Sequence, residues 1–150
     1  MLKATVLVLW ILCSTLAPAQ APAQFVMPHD ALTAEELAIA QRVHQGQLAC
    51  ELGTSIRLES DAAHPGYFHL QGKGFRYRMR PVVTSTGAIR LEDAKAGAVW
   101  LQLANKSMLM DQKKGRRMAD ECAHPEQLAY AQSLKTNPPP KLFDTTGMGR

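Results

Sequence analysis

From about Gln47 to Cys122 the apolar residues recur with a period of two, in short runs broken by glycine, proline or polar turn residues. Successive side chains of a strand point to opposite faces, so this pattern builds half-buried strands and leaves no room for helices between them. The runs are Leu48 to Glu51, Ser55 to Glu59, Tyr67 to Gln71, Phe75 to Val83, Ala88 to Glu92, Ala98 to Leu103, Ser107 to Gln112 and Arg116 to Cys122. Gly53, Pro65-Gly66, Gly72-Lys73-Gly74, Lys95-Ala96-Gly97, Asn105-Lys106 and Lys113-Lys114-Gly115 separate them with turn chemistry. About eight short strands in series predict antiparallel meander pairing, and the cost of leaving edges exposed favours closure into a small β-barrel. The clearest strand is Phe75 to Arg80, where Phe75, Tyr77 and Met79 share one face and Arg76, Arg78 and Arg80 the other. That alternation reads as a buried face and a wet one.

A short helix is expected on each side of the strands. Thr33-Ala34-Glu35-Glu36 has capping-box spacing, and Leu37, Ala40 and Val43 recur at helical intervals until Gly46, which predicts a helix over about 33–45. Pro125-Glu126-Gln127-Leu128 opens a second helix with proline in its first turn, running to Lys135 before Asn137 and three prolines. Residues 33–135 therefore read as one β-barrel domain with flanking helices. The proline- and alanine-rich stretch 20–32 reads as a flexible linker and 136–150 as a loose tail.

The N-terminus reads as an export signal. Lys3 precedes the apolar run Val6 to Leu12, and Ala17-Pro18-Ala19 follows as a small-x-small cleavage site, with Ala21-Pro22-Ala23 as a second. The run is too short for a membrane span, which needs roughly 20 apolar residues. A signal peptide over 1–19 and a periplasmic or secreted product are expected. Lipidation at Cys13 is the less favoured alternative, because the bulky Leu12 stands where a small residue is usual. Loss of the signal leaves Cys50 and Cys122 in an oxidising compartment, where they are expected to pair. Closing so long a loop is worth about 4 kcal/mol in the chain-entropy model. No Cys-x-x-Cys is present, so the bond reads as a staple and not as a redox centre.

The sequence carries no signature of chemistry. His29, His44, His64, His69 and His124 include no pair at the i, i+4 spacing of a helical metal site, so no metal is expected. No nucleophile turn, phosphate-binding glycine loop or dinucleotide fingerprint occurs, and Glu92 and Asp93 are adjacent, which points strand neighbours to opposite faces. The chain is read as a binding protein and not as an enzyme, with no cofactor. The net charge of +4 drops to +3 without Lys3, and basic residues gather at Arg76, Arg78 and Arg80 and from Lys113 to Arg117. For an exported chain such a face points to an anionic envelope component and not to nucleic acid. Trp100 is expected in the core, and so are Met108 and Met110.

The layout resembles the bacterial periplasmic or membrane-anchored inhibitors of chicken-type lysozyme. The likeness spans roughly residues 47–122 and rests on Cys50 and Cys122 framing the strand series, on Ser85-Thr86-Gly87-Ala88, on Trp100 and on Lys106. In that family a Ser-Gly-Ala loop precedes a tryptophan-bearing strand and then a lysine. Here the loop reads Thr86-Gly87-Ala88-Ile89-Arg90, and Asn105-Lys106-Ser107 replaces the family's tryptophan-lysine-glycine motif. The resemblance implies a small antiparallel barrel whose loop hydroxyl, Thr86 or Ser85, and whose Lys106 enter a lysozyme cleft and engage its carboxylates. Ser85, Thr86, Gly87 and Lys106 are thus the candidate contact residues, with Arg76, Arg78 and Arg80 the alternative, anion-binding set.

Overall fold

A computed structural model describes residues 31–138. The expected signal peptide, Cys13, nearly all of the 20–32 linker and the tail beyond Pro138 lie outside the described residues. Helix α1 (Ala34–Ala40) precedes β1 (Gly46–Ala49), β2 (Ser55–Ser60), β3 (Phe68–Gly72), β4 (Phe75–Val82), β5 (Ile89–Asp93), β6 (Ala98–Gln102), β7 (Ser107–Asp111) and β8 (Arg116–Cys122), and helix α2 (Pro125–Thr136) follows. The eight strands pair antiparallel in sequence order. A single bridge between Ala49 and Ala123 brings the last strand back to the first, and the Ala123 N–H donates to the Ala49 carbonyl at 2.9 Å. Cys50 and Cys122 are bonded beside it, 72 residues apart in sequence. The result is the nearly closed, mainly antiparallel β-barrel that the period-two pattern predicts.

Closure depends on bulges in β8. Its register against β7 runs Ser107↔Cys122, Leu109↔Ala119, Met110↔Arg117, so β8 carries extra residues where Glu121 adopts a left-handed φ of 51°. A bulge bends its strand and increases its twist, and here the bend carries Cys122 onto the β1 side. The β1 strand ends earlier than expected, because Glu51–Gly53 forms a 3-10 turn with Leu52 at a φ of 55°.

The core is a ladder of cross-strand neighbours. Trp100 on β6 faces Leu91 on β5 and Leu109 on β7, and all three are fully buried. Leu48, Leu58, Leu70 and Met79 continue the layer. Met108 and Met110 depart from expectation. They are half-exposed, while Ser107, Leu109 and Asp111 turn inward. A period of two fixes which residues share a face but not which face is inside, and β7 buries the set that includes the polar Ser107 and Asp111.

Two buried glutamines tie the helices to the barrel. The α1 helix is shorter than the expected 33–45 because Gln102 on β6 captures the chain after it: the Gln102 amide donates to the Arg42 carbonyl at 3.0 Å, and the His44 N–H donates to Gln102 Oε1 at 2.8 Å. Those backbone groups would otherwise seek helical partners. Its N-terminus keeps the expected capping box, with the Thr33 N–H on Glu36 Oε2 and the Glu36 N–H on Thr33 Oγ1. Gln127, in the first turn of α2, is fully buried and donates to the Leu103 carbonyl at 2.7 Å and to Ser107 Oγ at 2.9 Å. Gly66, at a φ of 88°, admits α1 closely, since a Cβ there would lie 2.5 Å from a Leu32 methyl. No helix among the described residues is long and apolar enough to cross a membrane.

Candidate functional site

The β4–β5 connection, residues 83–88, holds three of the four lysozyme-contact candidates. Val82 pairs with Arg90 below it, and Ile89 pairs with Gln102, so this loop and the β6–β7 turn at 103–106 adjoin at one end of the sheet. Its shape is internally fixed. Thr84 Oγ1 donates to the Ala88 carbonyl at 2.8 Å, the Gly87 N–H reaches the Thr84 carbonyl at 3.4 Å, and the Ala88 N–H reaches Thr86 Oγ1 at 3.4 Å. Gly87 turns the chain with a φ of 73°, a conformation that any side chain would strain. Ser85, Thr86 and Gly87 are exposed at the tip.

The loop borders α1 and the α1–β1 connection across open hollows. Hollows of ≈ 700, ≈ 500 and ≈ 410 Å³ flank it, the first against Arg42, His44 and Leu103, the second against Arg90 and Leu101, the third against α1. Val83 and Leu103 expose apolar surface beside it. The loop thus presents two exposed hydroxyls beside an apolar flank.

Lys106 lies on the neighbouring turn but not on the hollows around Thr86. The bulge in β8 places Glu121 and Asp120 beneath it: its ammonium is hydrogen-bonded to Glu121 and lies 3.5 Å from Asp120. The Glu121 hydrogen bond raises the Lys106 pKa above its ordinary value, against the opposing effect of burial, and the Asp120 charge adds to the rise. Asp120 itself is held low by the Glu121 N–H, with burial opposing and Lys106 and Arg117 assisting. The ammonium is charged at any physiological pH and already has carboxylate partners.

The arginine face is not the wet surface that its alternation implies. Arg78 Nε donates to Asp61 at 3.3 Å and its guanidinium lies 4.2 Å from the centre of the Tyr67 ring, while Arg80 pairs with Glu36 of α1 at 3.0 Å. Both carboxylates are nearly buried. Burial opposes ionisation of Asp61, yet the Ala63 N–H, Arg78 and His64 outweigh it and hold its pKa below the usual carboxylate range. The same balance lowers Glu36, where the Thr33 N–H and Arg80 overcome burial. Arg76 alone of the three stays exposed.

A cluster that local spacing does not announce lies beside the same end of the barrel. His44, on the α1–β1 connection, stacks on His124, the N-cap of α2, with ring centres 4.6 Å apart and planes 4° from parallel. Glu126 Oε2 lies 3.6 Å from His44 Nδ1. One ligating atom from each of the three residues falls within 4.8 Å of the others. Burial and the neighbouring imidazole lower the His44 pKa, with Glu126 pulling the other way. The spacing rules that argue against metal cover only residues close in sequence, and these are joined by the fold.

Comparison of the chain with protein-family models, with curated proteins and with solved structures finds no match.

Proposed function

We propose that this chain is an exported, non-enzymatic binding protein that inhibits a lysozyme-type muramidase by inserting loop 83–88 into its active-site cleft. The observation that carries this reading is the hydrogen-bonded form of that loop, with the Ser85 and Thr86 hydroxyls exposed at its tip and Lys106 on the adjoining turn. A disulfide-closed scaffold is consistent with a compartment where thiols oxidise. Within a cleft bearing two carboxylates, a hydroxyl hydrogen-bonds one and an ammonium pairs with the other. Lys106 trades Glu121 and Asp120 for its target, so Lys106 contributes net affinity only where the cleft carboxylate is better desolvated than the half-exposed Glu121. The alternative, a non-inhibitory module for an anionic envelope component, is less well supported because Asp61 and Glu36 already neutralise Arg78 and Arg80.

The test is a titration of chicken-type lysozyme activity on peptidoglycan with the purified, disulfide-bonded protein. Activity falls to near zero at modest molar excess. A hydrogen bond to a charged group is worth about 1.5–3 kcal/mol, so Thr86→Ala weakens inhibition about tenfold to a hundredfold and Lys106→Ala by less, because binding costs Lys106 its pairs with Glu121 and Asp120, whereas Arg76→Ala leaves it unchanged. Full lysozyme activity at large excess of the native protein would sink the reading. Inhibition untouched by either loop variant would sink the site.

A further inference from the structure

We propose that His44, His124 and Glu126 form a binding site for a divalent transition-metal ion of the zinc class, built where the first turn of α2 meets the α1–β1 connection. Two imidazole nitrogens and a carboxylate oxygen are a donor set suited to Zn²⁺ and its neighbours, and one that Mg²⁺ and Ca²⁺, which favour all-oxygen shells, do not choose. The three ligating atoms already converge within 4.8 Å. Around a tetrahedral ion with bonds of about 2.0–2.1 Å they would stand about 3.3 Å apart, so loading asks for a contraction of at most about 1.5 Å.

Side chains can supply that movement while the backbone stays. The His44 main chain is pinned by Gln102, and the first turn of α2 is pinned by the buried Gln127, so the two sides of the site are fixed relative to each other. Glu126 has a side chain 75% exposed and is free to swing, and the parallel rings need only tilt into a wedge. The stack already brings the two imidazoles together, and tilting them out of parallel turns an in-plane lone pair of each toward a common point. Three protein ligands leave one coordination position for a water or a small anion from the hollow that His44 lines.

The experiment is calorimetric titration of the full, disulfide-bonded chain with ZnCl₂, with thermal unfolding at zero and saturating ZnCl₂ as a second readout. With Cys50 and Cys122 paired, a Cys13→Ser background leaves no thiolate to compete. One Zn²⁺ binds per chain and raises the melting temperature, as any ligand of the folded state does, while CaCl₂ at the same concentration does neither. His44→Ala and Glu126→Gln each weaken Zn²⁺ binding at least tenfold. His124→Asn does the same while keeping a side chain that can cap α2, so its metal-free melting temperature stays near that of the native chain. The His44→Ala, His124→Asn double variant loses saturable binding. Absence of saturable binding to the native chain, or binding of unchanged affinity in the double variant, would overturn the assignment.

Discussion

Replacing both bridging cysteines, Cys50→Ser with Cys122→Ser, lowers the free energy of unfolding by about 4 kcal/mol, the chain-entropy value for a closed loop of this length. Small domains are stable by only about 5–15 kcal/mol, so the loss takes a large share of the total. The geometry makes this seam unusually dependent on the bond. Every other strand junction pairs at three or more positions, even the bulged β7–β8 one, whereas β1 and β8 meet through one bridge at Ala49 and Ala123. Without the sulfurs, the bulged end of β8 has little to hold it against β1. Urea unfolding of the double variant is expected to show the midpoint falling and m rising, because the unlinked denatured chain is less compact, with cleavage by protease appearing first in β8. A loss below about 1 kcal/mol would mean that packing closes the barrel unaided.

Trp100→Ala is expected to cost about 3–5 kcal/mol, the range for truncating a large buried aromatic. The side chain is fully buried between Leu91 and Leu109, the cross-strand neighbours on either side, so its removal empties the centre of the β5–β6–β7 face. Trp100→Phe separates volume from polarity. Among the described residues the indole Nε1 has no hydrogen-bond partner, and phenylalanine deletes that orphaned donor along with part of the ring. Its cost is expected to be about 1–2 kcal/mol, the lost volume being partly offset. Chemical denaturation of the two variants checks the order; a phenylalanine variant as unstable as the alanine variant would show that the indole nitrogen is satisfied.

Much of this fold is legible locally. The strand runs, the turn residues between them, the Thr33–Glu36 capping box and the proline start of α2 are statements about neighbours a few positions apart, and each element falls within a few residues of its expected bounds. What the pattern cannot carry is long-range partnership. The early end of α1 is decided by Gln102, 60 residues away from Arg42, and the arginines of β4 are neutralised by Glu36 and Asp61, 44 and 17 residues off. Inward and outward faces of β7 are set by registry with β6, which is why Met108 and Met110 face the other way. The candidate loop was visible through its Thr86-Gly87-Ala88 run, but the capture of Lys106 by Glu121 follows from a bulge that leaves no mark in the sequence. His44, His124 and Glu126 show the same blindness, since only the docking of α2 brings them together.

Amide hydrogen exchange of the native protein, with and without saturating chicken-type lysozyme, reports directly on whether the 83–88 loop is the business end of the molecule. The expected result is slowed exchange from Val83 to Ala88 and from Leu103 to Lys106, with the exposed Arg76 segment of β4 unaffected. Exchange across 83–88 that is identical with and without the enzyme would contradict the proposed mode of action.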